Sequence, residues 1–197
     1  LNGEYLHSVR DEYTKKRLQE IGINNVINTG CPTMWGLTHE FCASIPQKKS
    51  TNVITTLTNY RTTKPEADEK MLNILFEHYD RVYIWIQALE DYGYLKSLKI
   101  KKQPQIIYPG LDNFDEALSQ KDIEYCGTRL HAGIEALNHR KRTLIIAKDN
   151  RAAEIGKDTG LLVIPDDDLD ELAAIIESPI KYNIQIPIEN IKKWKGQ

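Results

Sequence analysis

Short β-branched or aromatic runs alternate along the chain with segments whose apolar positions return every three or four residues. The runs Tyr5–Val9, Asn25–Asn28, Asn52–Leu57, Arg81–Ile86, Gln105–Ile107, Asp122–Tyr125, Arg142–Ala147 and Leu161–Ile164 predict eight strands. Between them, Tyr13, Leu18 and Ile21 mark one helical face. Met71, Leu72, Leu75, Phe76 and Tyr79 mark another, in a helix beginning after Pro65. Further helices are predicted over 88–99, 112–120, 130–139, 150–156 and 168–177, most introduced by an Asp, Asn or Thr able to cap. Strands alternating with helices build βαβ units, so the expected fold is α/β with a Rossmann-like, doubly wound parallel sheet. The polar, unpatterned stretch "ASIPQKKSTN", 43–52, predicts a join between a partial βαβ unit over 1–45 and a Rossmann-like domain over 46–197.

Composition narrows the function without naming it. A chain of 197 residues, 41% hydrophobic and 27% charged, can bury a full core. A net charge of -2 and a pI near 6.3 argue against a nucleic-acid surface or a basic membrane-seeking face, so any anion site is local. Cys31, Cys42 and Cys126 have neither CxxC nor metal-ligand spacing and read as structural thiols of a reduced, cytoplasmic compartment. No apolar run is long enough to span a bilayer, and no signal-peptide pattern is found. Because the first residues already read as a strand and Leu1 is not a methionine, a processed or excised chain is expected. "IPDDDLDEL" reads as an acidic helix start, lacking the spaced carboxylates of a calcium loop. "HRKR", 139–142, reads as a solvated helix end, and Met34, Trp35 and Leu37 as core.

Open α/β sheets bind ligands beyond the carboxyl ends of their strands, and three polar clusters fall there. They are "SVRDEY" with Arg10 and Asp11, "GTRLH" with Arg129 and His131, and "KDNRAAE" with Lys148, Asp149, Arg151 and Glu154. A cation in the first turn of a helix opposes the dipole at a cost of roughly 0.3–1 kcal/mol. A bound anion would offset that cost at Arg129. Plainer readings are available: Arg129 paired with Glu135 or Asp149, His131 packed with both nitrogens satisfied, Arg10 solvated beside a capping Asp11, and Asp149 as another cap.

The order "SVRDEYTKKRLQEIGINNVINTGCPTMW", then "GTRLHAGIEAL" and "IAKDNRAAEIGKDTGL", resembles the polysaccharide pyruvyl transferase family over nearly the whole chain. The resemblance implies half of a GT-B-like two-domain enzyme: residues 1–45 end an N-terminal Rossmann-like domain, and 46–197 form the donor-binding one. It implies transfer of the pyruvyl group of phosphoenolpyruvate to sugar hydroxyls of bacterial surface glycans, with a glycan or lipid-linked sugar as acceptor. His131 is then the catalytic residue, and Arg10, Arg129, Leu130 and Arg151 contact phosphoenolpyruvate. Asp11, Asp149 and Glu154 support them. Guanidinium groups suit a ligand with both carboxylate and phosphate, and a histidine titrates in the right range for proton transfer. The scheme calls for no cofactor or metal, and a homo-oligomer is compatible with it.

Two other readings differ in ligand or class. A GT-B glycosyltransferase or nucleotide-sugar epimerase would hold a nucleotide diphosphate on the same rim, although "TTLTNYRT" has no Gly-rich phosphate loop. A non-catalytic partner module would expose an apolar patch including Trp35 and Leu37.

Overall fold

The computed structural model describes residues 3–59 and 64–197. All eight predicted strands are present, and every strand pairing among the described residues is parallel. Residues 60–62 of "TTLTNYRT" lie outside the described residues. β1 (His7–Val9) and β2 (Val26–Asn28) form a small sheet, joined by α1 (Glu12–Glu20). A 3-10 turn (Pro32–Met34) and α2 (His39–Ala43) then lead into the main sheet. The main sheet contains β3 (Asn52–Thr55), β4 (Arg81–Trp85), β5 (Gln105–Ile107), β6 (Ile123–Gly127), β7 (Thr143–Ala147) and β8 (Val163–Pro165). Its helices are α3 (Pro65–His78), α4 (Leu89–Ser97), α5 (Leu111–Ser119), α6 (Leu130–Asn138), α7 (Asn150–Thr159) and α8 (Leu172–Glu177). A terminal α9 (Ile188–Lys195) follows.

The strand order of the main sheet is β5-β4-β3-β6-β7-β8. From β3 the chain winds outward to β5, returns to the middle at β6 and winds the other way. The carboxyl ends of β3 and β6 are therefore the switch point at which open α/β sheets form their crevice. β6 and β7 are buried along their whole length, as strands covered by helices on both faces must be. Their apolar side chains join Val53, Ile54, Leu72, Leu75, Ile134 and Leu137 in one core.

Several sequence expectations change. Tyr13 and Ile21 are exposed, and α1 has no buried residue, because a two-stranded sheet offers its helix little surface. The helix expected over 168–177 begins only at Leu172; turns precede it, and Asp166 pairs with Lys64 and Lys148 instead. The expectation for "HRKR" fails at Arg142, which is 1% exposed and pairs with the fully buried Glu124. Its guanidinium also donates to the carbonyls of Gln47, Ile175, Ile176 and Ser178, tying α8 and the segment before β3 to the amino end of the sheet. Met34 and Leu37 are core as expected. The patch foreseen around Trp35 is covered: its indole donates to the Thr29 carbonyl at 2.8 Å and meets Trp194 of α9 edge-on.

Candidate functional site: a cation-lined cavity at the switch point

Threonines after β3 fix the turn that carries Arg129. Thr56 Oγ1 accepts from the Arg129 backbone N–H at 3.1 Å and lies 2.6 Å from the Tyr125 hydroxyl, which donates to the Arg129 carbonyl. Thr128 donates to the Thr56 carbonyl through both its N–H and its hydroxyl, and its Oγ1 lies 2.9 Å from that of Thr58. Gly127 permits this approach. A Cβ there would stand 2.6 Å from the Thr56 backbone nitrogen, closer than any real side chain comes. The β6–α6 turn is thus held before any ligand arrives.

Arg129 is the N-cap position of α6 and its side chain is mostly buried. One terminal nitrogen lies 2.8 Å from both Asp91 oxygens, and Nε donates to the Leu57 carbonyl at 3.0 Å. The carboxylate beside the first-turn cation is therefore Asp91 of α4, rather than the Glu135 or Asp149 that sequence neighbourhood suggests. Asp91 also accepts from the Gln87 and Ala88 N–H groups, so the same carboxylate starts α4 and orients Arg129.

A cavity of about 200 Å³ opens beside this pair, lined by Arg129, Leu130, His131, Lys148, Asp149 and Arg151, with Thr58, Gln87 and Thr128 at its back. The N-termini of α6 and α7 both border it, so helix dipoles and three side-chain cations favour an anion there. Asp149 caps α7 by accepting from the Arg151 N–H at 2.9 Å, and its carboxylate pairs with the Arg151 guanidinium. Burial opposes its charge, but the Arg151 contacts prevail and hold its carboxyl below the usual range. Lys148, which the sequence places only in a polar cluster, reaches the cavity through a largely buried side chain. Its Nζ lies 2.9 Å from Asp68 and 3.3 Å from Asp166.

His131 is exposed at the cavity edge, and its Nε2 lies 3.6 Å from Cys31 Sγ. Burial resists the Cys31 thiolate, but hydrogen bonds from His131 and Thr33 outweigh it and lower the pKa to about 7. Cys31 is the residue that sequence reasoning missed. The reading of three structural thiols holds no signal for a contact spanning 100 positions; all three thiols are buried, and desolvation pushes Cys42 and Cys126 up.

The remaining expected residues lie elsewhere. Arg10 lines a separate cleft of about 220 Å³ with Asn28, Asp158 and Gln185, and lies 3.6 Å from Asp11. Asp11 caps α1 through the Thr14 N–H at 2.6 Å. Glu154 pairs with Lys157 along α7. On the far side of His131, Asp115, Glu135 and His139 bring their ligand-type atoms within 4.8 Å of one another, a grouping that sequence spacing does not announce.

Fold and cavity together define a Rossmann-like α/β protein with a cation-lined site at its switch point. The sequence profile of the polysaccharide pyruvyl transferase family matches residues 1–150, and the chain belongs to that family of transferases. The matched span includes every cavity residue named above except Arg151. No curated protein matches the chain at a significant level. No helix among the described residues is long and apolar enough to cross a membrane.

Proposed function

We propose that this protein transfers the pyruvyl group of phosphoenolpyruvate to hydroxyls of a sugar in a surface glycan, forming a pyruvate ketal. The observation that carries the reading is the junction of Arg129, His131 and Arg151 in one cavity at two helix N-termini, within a chain of this family. Arg129, held by Asp91, and Arg151 receive the carboxylate and phosphate of the donor, with Lys148 adding charge behind them. His131 delivers a proton to the methylene carbon, leaving an oxocarbenium-like centre at the adjacent carbon. One sugar hydroxyl attacks that carbon and loses its proton. The phosphate leaves with its bonding electrons, and a second hydroxyl of the same sugar closes the ketal as its proton is lost. The methyl group gains one proton, the two hydroxyls release two, and inorganic phosphate is the other product.

Calorimetric titration with phosphoenolpyruvate and, separately, uridine diphosphate glucose tests the donor. Binding of phosphoenolpyruvate alone, weakened by Arg129→Ala, is expected. A preference for the nucleotide sugar would move the cavity to glycosyl transfer or epimerisation. His131→Ala is expected to retain donor binding and lower turnover by about 10²–10⁴-fold, the usual worth of a general acid or base.

A further inference from the structure

His131, Glu135 and His139 fall four residues apart along α6 and its C-cap, on one stripe of the helix. The stripe begins at the donor cavity with His131 and ends at His139, where α5 brings Asp115 alongside. Three ligand-type atoms meet at that end. His139 Nε2 lies 3.3 Å from Glu135 Oε1 and 3.4 Å from Asp115 Oδ1, and all three atoms fall within 4.8 Å of one another. None of these three residues lines the donor cavity, so what they hold does not depend on which donor binds there.

The plainest account is an ion pair between a protonated imidazole and two carboxylates, and the geometry does not suit it. A charge-assisted N–H···O bond closes to about 2.7–2.9 Å, and the single Nε2–H of an imidazolium cannot point at two oxygens on different helices. Both separations are longer than that. Asp115 Oδ1 is buried and accepts no hydrogen bond from His139 or from any other described residue. A carboxylate oxygen that neither water nor a donor satisfies is rare in a folded protein, and a cation held between it and its neighbours would satisfy it. Glu135 is prepared in the same sense: its Oε2 accepts from the Asn138 amide at 3.5 Å, which leaves Oε1 for the group.

The spacing is that of ligands around a tetrahedral metal. Zinc holds imidazole nitrogen and carboxylate oxygen at about 2.0–2.2 Å, which sets adjacent tetrahedral ligands about 3.3–3.5 Å apart. An octahedral magnesium site, at about 2.1 Å, would bring neighbouring ligands to about 3.0 Å, and calcium takes oxygen ligands alone. One imidazole with two carboxylates is a zinc donor set, and three protein ligands leave the fourth position to water. We infer that Asp115, Glu135 and His139 bind a zinc ion, tying α5 to the C-terminal end of the helix whose first turn carries His131 and whose N-cap is Arg129.

The test is calorimetric titration of the chelator-stripped native chain with zinc chloride and, separately, magnesium chloride. It is repeated on Glu135→Gln, His139→Gln and Cys31→Ser, the last because the Cys31–His131 contact is the other place where a zinc ion could lodge. Visible absorption of the cobalt(II)-loaded chain reports the coordination number. One equivalent of zinc is expected, raising the thermal midpoint as any ligand of the native state does. Affinity should fall at least about tenfold in Glu135→Gln and in His139→Gln and stay unchanged in Cys31→Ser, with the intense bands of four-coordinate cobalt(II) in the native chain. Should either ligand variant fail to fold, Asp115→Asn and the native cobalt(II) spectrum decide the matter. No zinc binding, binding that survives the ligand variants, or binding lost in Cys31→Ser overturns the site. Magnesium binding as tight as zinc, or the weak bands of six-coordinate cobalt(II), overturns the zinc assignment. Loss of stability in His139→Gln without zinc binding by the native chain would return the three residues to a simple ion pair.

Discussion

Two arginines at opposite ends of the same sheet face carboxylates in different ways. At the amino ends of β6 and β7, Arg142 is sealed against Glu124, with Tyr79, Ser50 and four carbonyls completing the network. At the carboxyl ends, Arg129 meets Asp91 at 2.8 Å but borders an open cavity shared with Lys148 and Arg151. The first arrangement encloses both charges with their partners; the second holds a cation at a surface where a ligand can meet it. An ion pair read from a contact distance is thus a structural clamp at one end and a prepared binding group at the other, and burial distinguishes them.

The largest expected effect breaks the sealed end. Arg142→Ala strips the buried Glu124 carboxyl of its cation and four carbonyls of their donor, and is expected to cost about 3–5 kcal/mol in urea denaturation. Replacing the pair together, Glu124→Leu with Arg142→Met, should restore only part of that loss, because Tyr79, Ser50 and the four carbonyls lose their partners. Arg129→Ala should cost less stability, about 1–2 kcal/mol, since water can reach Asp91 through the cavity. Its main effect should appear in donor binding, weakened by roughly 1.5–3 kcal/mol as for a charge-assisted hydrogen bond. Stability losses of equal size at both ends would collapse the distinction.

The sequence reveals the frame better than the clamp. Strand positions were legible because β-branched runs such as "TLIIA" are both apolar and short, and the β/α alternation leaves few topologies. The β6–α6 and β7–α7 turns were legible as ligand-facing for the same reason. Arg142 was not, because "HRKR" reads as solvent-facing in its local context and only the distant Glu124 and α8 carbonyls reveal its burial. α2 and α9 escaped prediction because each is short and weakly marked. α9 is placed by non-local contacts, with Asn190 donating to the Asn28 carbonyl and Trp194 against Trp35. Asp91 and Cys31 share the same difficulty: each acts on the site from another element.

Arg10 supplies a smaller test of how far the rim site extends. Its cleft shares no lining residue with the Arg129 cavity. Arg10→Ala is therefore expected to change phosphoenolpyruvate affinity by less than about twofold, within the range of exposed charges. A loss as large as that of Arg129→Ala would make the two clefts one donor site, as the family resemblance implies.

The smallest change in energy falls on Cys31, a buried thiol whose contact with the exposed His131 can be read by titration. A thiol lowered to about 7 is mostly protonated below that pH and mostly thiolate above it. Cys42 and Cys126, raised by burial, stay protonated across the same range. The ultraviolet absorbance of thiolate should therefore rise by one equivalent through about pH 7, and the step should vanish in Cys31→Ser. Because hydrogen bonding to His131 favours the thiolate, His131→Ala should move the midpoint upward, toward the ordinary value of about 8.5. An unmoved midpoint would mean that Thr33 alone sustains the thiolate and that the contact with His131 carries no charge coupling. A midpoint that rises shows that the exposed His131 at the edge of the cavity stabilises the buried Cys31 thiolate, a link to the open rim that the sealed Arg142 network lacks.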